Sequence, residues 1–124
     1  TLIGIAKRLK KIYPNVKIIA VEPEESAVMS GKRRGKHRIQ GIGDGFIPDI
    51  VKGNKDGLNK IIDEIAVVHS DVAIKTAREL DKKGYSVGIS SGANFAAAQR
   101  YLKNENNVVT IFPDGAEKYR TLGL

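Results

Sequence analysis

The chain has 124 residues, 41% of them hydrophobic and 28% charged, with no cysteine. This length and balance suit one folded domain, and they exclude a disordered polymer, a disulfide-stapled scaffold and a thiolate metal site. The net charge of +7 admits an anionic partner, while the absence of a long apolar run or a signal-peptide pattern points to a soluble, cytoplasmic protein with no membrane contact.

Residues 2–13 set Leu2, Ile5, Ala6, Leu9, Ile12 and Tyr13 at helical spacing with lysines and Arg8 opposite, and Pro14 and Asn15 end this amphipathic helix. "VKIIAVEP" follows, an apolar run rich in Val and Ile that reads as a buried, parallel strand. Glu24 to Ser30 suits a short helical turn. Residues 31–57 are glycine-rich and basic without period, and a loop of that length in a compact domain is functional or disordered.

"EIAVVHS" is a second buried strand. A helix then begins with Ser70 as its N-cap, carries Val72, Ala73, Thr76, Ala77 and Leu80 along one face, and stops near Gly84. "SVGISSGAN" leads into another helix through Ala96, Ala97, Ala98, Tyr101 and Leu102, which Asn104 to Asn107 break. "VVTIFP" reads as a third strand and "DGAEKYRTLGL" as a short tail. Apolar strands alternating with amphipathic helices predict an α/β fold: a three-layer αβα arrangement around a mainly parallel sheet of Val16–Val21, Ile65–His69 and Val108–Phe112. Such a domain normally leads with a strand, so a chain that opens on a helix is expected to be one incomplete domain, residues 1–124, of a longer protein.

The basic residues cluster in Lys7, Arg8, Lys10, Lys11 and Lys17, and again in Lys32, Arg33, Arg34, Lys36 and Arg38. Only Tyr13 lies among them, which argues against a stacking platform for nucleic acid, although a small basic phosphate- or nucleic-acid-binding module stays open as an alternative. His37 and His69 lack paired metal spacing, so no metal is expected. Asp114 after Pro113 reads as a turn residue, and no Ser-His-Asp arrangement is legible.

Two stretches carry chemistry. In "GISSGAN", residues 88–94, a strand end meets a helix N-terminus, where free N–H groups and a hydroxyl suit a heteroatom of a bound ligand; the plainer reading is a serine cap with glycines for close packing. In "QGIGDGFIP", residues 40–48, Gly41, Gly43 and Gly45 alternate with Ile42 and Asp44, a spacing that lets backbone amides approach a ligand but does not fit a dinucleotide fingerprint.

"VKIIAVEPEESAVMSG", "HRIQGIGDGFIPDI", "VGISSGANFAAAQR" and "TIFPDGAEKY", in this order, resemble the cysteine synthase (O-acetylserine sulfhydrylase) family, pyridoxal-phosphate enzymes of the tryptophan-synthase-β-like fold. The resemblance covers essentially the whole chain and corresponds to the last part of such an enzyme. It implies pyridoxal 5'-phosphate as cofactor and L-cysteine formation from O-acetylserine and sulfide by β-replacement. It also implies a homodimer that serine acetyltransferase can join. Ser90 matches the residue that hydrogen-bonds the pyridine nitrogen, leaving Ser91 as the helix cap. Thr1 matches the last residue of the phosphate loop, and Gly41 and Gly43 match the stretch bordering the substrate. No lysine here matches the Schiff-base lysine, so the chain by itself is expected to be inactive. Asp44 departs from the small residue of the family pattern, which keeps a cystathionine β-synthase-like enzyme as the alternative.

Overall fold

Two short runs of apolar and β-branched residues form the framework. In the computed structural model, which describes residues 1–53 and 58–122, they are β1 (Ile19–Pro23) and β2 (Glu64–Val68), paired in parallel from Ile19 opposite Glu64 to Pro23 opposite Val68. Parallel pairing requires a crossover, and here it is the loop-rich run between the strands, which opens with a 3-10 turn at Glu24–Ser26. The helices are α1 (Leu2–Ile12), α2 (Ser70–Lys82) and α3 (Ile89–Tyr101), and a second 3-10 segment spans Ala116–Leu122. The expected α/β class with a parallel sheet is the fold the chain adopts.

The core forms where α3 packs on both strands and α2 packs along α3. Ala93, Ala96 and Ala97 of α3 meet Ala66 and Val68 of β2, with Ile39 from the crossover fully buried among them. Burying a side chain of that size contributes roughly 2–3 kcal/mol. The α2–α3 approach is closer than any side chain at Gly92 would allow. A Cβ there would stand 2.2 Å from the Ala73 carbonyl oxygen and 2.8 Å from the Ala77 nitrogen, so the glycine in "SSGAN" serves close packing, as one of its two readings held.

Three local expectations are corrected. Val108–Phe112 is not a strand: it has no regular secondary structure and no ladder partners among the described residues, is tied to α3 by the Asn94 amide donating to the Ile111 carbonyl at 2.9 Å, and Val109 is 90% exposed. A β-prone run becomes a strand only where another backbone offers its N–H and C=O groups, and neither β1 nor β2 lies alongside it. On α1 the buried residues are Ile3 and Ala6, while Ile5, Ile12 and Tyr13 stay exposed, because the helix meets the body along a line rotated from the predicted apolar stripe. The N-cap of α2 is His69, whose ring accepts the Asp71 N–H at 3.2 Å; Ser70 is already helical and is occupied elsewhere. The helix stops at Lys82, two residues before Gly84, as expected. Part of the expectation for residues 31–57 falls on 54–57, outside the described residues.

Candidate functional site

The carboxyl ends of parallel strands are where α/β domains collect loops and helix N-termini. At the end of β1 the buried Glu22 carboxylate accepts the Met29 and Ser30 N–H groups at 2.9 and 3.0 Å and the Ser30 hydroxyl at 2.5 Å, folding residues 24–30 back on the strand. Three donors make a buried carboxylate tolerable. From the adjoining turn, Glu25 Oε1 accepts the Ser70 N–H at 3.0 Å at the start of α2. Burial of Glu25 works against its ionisation, but the Ser70 hydrogen bonds and nearby His69 outweigh it and hold the pKa below the ordinary carboxylate value. Ser70 Oγ in turn accepts the Arg38 N–H at 2.9 Å. One turn, one helix start and the crossover loop are thereby stitched to one edge of the sheet.

The glycine loop is set on this edge. Gly43 has φ +70°, and a Cβ on it would stand 2.6 Å from the Pro23 ring, so both conformation and space demand glycine. The His37 ring also holds this glycine, bonding its carbonyl through Nε2 at 2.8 Å. Gly41 also has positive φ and is exposed. Arg34, Lys36, Gly41, Gly43 and the exposed Asp44 line a shallow hollow of about 580 Å³.

The start of α3 reaches the same region. Ile39 belongs to the core cluster that contains Ile89 and Ala93 of α3, and Ile42, partly buried, packs against it. A groove of about 570 Å³ places Gln40 and His37 on one wall and Ile74 and Ile89 on the other. Ser90, next to Ile89, is 3% exposed, and its hydroxyl has no hydrogen-bond partner among the described residues. A hydroxyl at a helix start that no protein group engages is free to bond a heteroatom of a ligand.

Ser91 does not cap α3. The helix begins at Ile89 with Gly88 as N-cap and no side-chain cap bond, so both serines lie inside its first turn. The fully buried Ser91 hydroxyl points to the Asp114 carbonyl, a long contact of 3.5 Å, and that carbonyl also accepts the Gly88 N–H at 3.0 Å. Asp114 is therefore more than a turn residue. Its Oδ2 accepts the Tyr119 hydroxyl at 2.7 Å, and its Oδ1 is buried without a partner. Burial, with the Asp114 carboxylate beside it, pushes the Tyr119 pKa up to about 12. Sequence reasoning missed Asp114, Tyr119 and Ile39, since a short tail of mixed polarity and one isoleucine in a basic loop have no period to betray them.

Thr1 stands apart. It precedes α1 as N-cap, is exposed, makes no side-chain cap bond, and among the described residues no hydrogen bond or ion pair links it to Ser90 or the glycine loop. No group of His, Cys, Asp or Glu suited to a metal ion occurs among the described residues, and none of their helices is long and apolar enough to cross a membrane.

Comparison with known proteins gives consistent results. The family model described as pyridoxal-phosphate dependent enzyme matches residues 1–114. A cysteine synthase of Staphylococcus aureus is 42% identical over 128 residues, covering 100% of this chain and 39% of its own length. Among solved structures, cysteine synthase (OASS) from Entamoeba histolytica superposes with a TM-score of 0.89 at 44% identity, covering 98% of this chain and 36% of that one. The O-acetylserine dependent cystathionine beta-synthase from Helicobacter pylori superposes with a TM-score of 0.84 at 38% identity, covering 98% and 39%. The chain thus spans about two fifths of the length of the relatives it matches.

Proposed function

Since the chain belongs to the pyridoxal-phosphate dependent enzyme family, we propose that residues 1–124 form one portion of the domain of a cysteine synthase, which makes L-cysteine from O-acetylserine and sulfide by β-replacement. The observation that carries this reading is the Ser90 hydroxyl, at the start of α3 in a residue only 3% exposed, with no hydrogen-bond partner among the described residues. It fits the pyridine nitrogen of pyridoxal 5'-phosphate, a single heteroatom that one hydroxyl can satisfy. When bound, the cofactor supplies the electron sink that loosens bonds at the substrate's α-carbon.

The residues of this chain bind and orient. Ser90 is neutral, so unlike a carboxylate it does not hold the ring nitrogen protonated; that weakens the sink and favours elimination over transamination. Thr1 and the free N–H groups at the start of α1 suit the cofactor phosphate. Gly41 and Gly43 present bare backbone toward the substrate, with Pro23 and His37 fixing Gly43. The resemblance of the motifs further supports a cytoplasmic homodimer with serine acetyltransferase as a partner.

Asp44 favours a second reading. Its exposed carboxylate borders the hollow beside Gly43 together with Arg34 and Lys36, a lining of both signs that suits a zwitterion. An amino thiol as second substrate, as in a cystathionine β-synthase-like enzyme, carries that pair of ammonium and carboxylate.

The test is a graft. Residues 1–124 replace the segment they match in the Staphylococcus aureus cysteine synthase, and turnover of O-acetylserine is measured with sulfide or homocysteine. Sulfide-dependent cysteine formation that Ser90→Ala impairs is the expected result. A folded, cofactor-loaded graft using homocysteine alone supports the second reading, and one that turns over neither nucleophile overturns both.

A further inference from the structure

We propose that His37 is a positioning residue that holds the glycine loop in shape through one fixed imidazole tautomer; its link to the substrate rests on the function proposed above. The ring touches backbone at both nitrogens. Nε2 lies 2.8 Å from the Gly43 carbonyl oxygen, and Nδ1 lies 3.3 Å from the Ile39 nitrogen. A carbonyl only accepts and an N–H only donates, so Nε2 carries the proton and Nδ1 is bare. The neutral Nε2–H ring is the single form that makes both bonds, and it closes the chain from residue 37 to residue 43 like a strap.

Both ends of the strap are anchored. Ile39 is fully buried, and the Arg38 N–H donates to Ser70 Oγ, so the near end is fixed to the core and to α2. At the far end Gly43 lies against both the His37 ring and Pro23, the last residue of β1. What remains free is the tip, where Gln40 and Gly41 are exposed. Without the ring, a glycine at positive φ has many other conformations available, and only Pro23 would limit them.

The experiment uses the full chain. Nitrogen-15 NMR of the histidine rings reports the tautomer, nitrogen-15 relaxation reports the order of residues 41–46, and hydrogen exchange reports the Ile39 amide that donates to the ring, in the wild type, His37→Ala and His37→Gln. Expected are an Nε2–H signature for His37 at neutral pH, lower order at residues 41–46 in His37→Ala, and exchange about tenfold faster at Ile39, the scale of one lost hydrogen bond. The β1 and β2 amides stay unchanged, and Gln, which keeps a donor for Gly43, restores much of the order. An Nδ1–H or doubly protonated ring at neutral pH overturns the proposal, as does unchanged exchange in a folded Ala variant. If Ala fails to fold, the wild-type tautomer and the Gln variant still decide. In the graft, a loosened loop that raises the KM for O-acetylserine while sparing kcat joins the strap to the substrate. A loosened loop with unchanged KM leaves the strap standing and removes the loop from the substrate site.

Discussion

The Tyr119 hydroxyl donates to Asp114 Oδ2 at 2.7 Å, and the Asp114 backbone carbonyl receives the Gly88 N–H at 3.0 Å. A residue of the C-terminal 3-10 segment is thereby coupled to the first turn of α3, the turn that carries Ser90. Tyr119 is itself part of the core, so its ring packs while its hydroxyl steers the carboxylate.

Tyr119→Phe keeps the ring and removes the donor. Oδ2 then keeps only the Lys118 ammonium at 3.9 Å, with Oδ1 already unpaired. The expected cost is about 1–3 kcal/mol, the range for leaving a buried acceptor unsatisfied. Urea unfolding followed by circular dichroism measures it, and an unchanged midpoint would show that water reaches Asp114 as readily as Tyr119 does.

Alkaline pH acts on the same bond. Tyr119 and Tyr101 both have pKa values pushed up to about 12 from 10.0, through burial first and then through hydrogen bonds to Asp114 and Glu64. Each folded phenol holds its proton more tightly than the unfolded one. Their contribution is therefore intact below pH 10 and disappears as pH rises from 10 through 12. Stability measured across that window should fall more steeply in the wild type than in the Tyr101→Phe, Tyr119→Phe double variant. Parallel curves would contradict this.

Gly92→Ala should destabilise the chain by at least about 1–3 kcal/mol, and Gly92→Val should prevent folding. The atom that the new Cβ meets first is the Ala73 carbonyl oxygen, part of the α2 backbone, which cannot rotate aside as a side chain would. Thermal melts of both variants check the order. A Gly92→Val variant that melts with the wild type would mean that α2 and α3 separate at little cost.

Ser90→Ala should separate stability from function. The hydroxyl has no partner among the described residues, so its removal leaves folding unchanged within about 1 kcal/mol or slightly improves it. In the graft the same substitution should weaken retention of pyridoxal 5'-phosphate about tenfold, the scale of one hydrogen bond. Equilibrium unfolding and absorbance of the bound cofactor read the two effects separately. A large loss of stability together with unchanged cofactor retention would make Ser90 a structural residue.

What the sequence by itself determined was local. The periods of α2 and α3, the buried character of β1 and β2, and the unusual chemistry of "GISSGAN" and "QGIGDGFIP" are properties of neighbouring residues, since helix and strand periodicity follow from covalent geometry. Motif resemblance then pointed to the family that the family model matches. Only the tertiary structure decided the rest, because each remaining question depends on a distant group. Val108–Phe112 has the composition of a strand but pairs with neither β1 nor β2. Ser70 resembles a cap, yet its Oγ is engaged by the Arg38 N–H and its own N–H by Glu25, so His69 caps instead. Ser90 and Ser91 are adjacent and chemically identical. Asp114, a long way down the chain, meets the second and leaves the first without a partner among the described residues, which is how the fold distinguishes two hydroxyls that the sequence writes the same way.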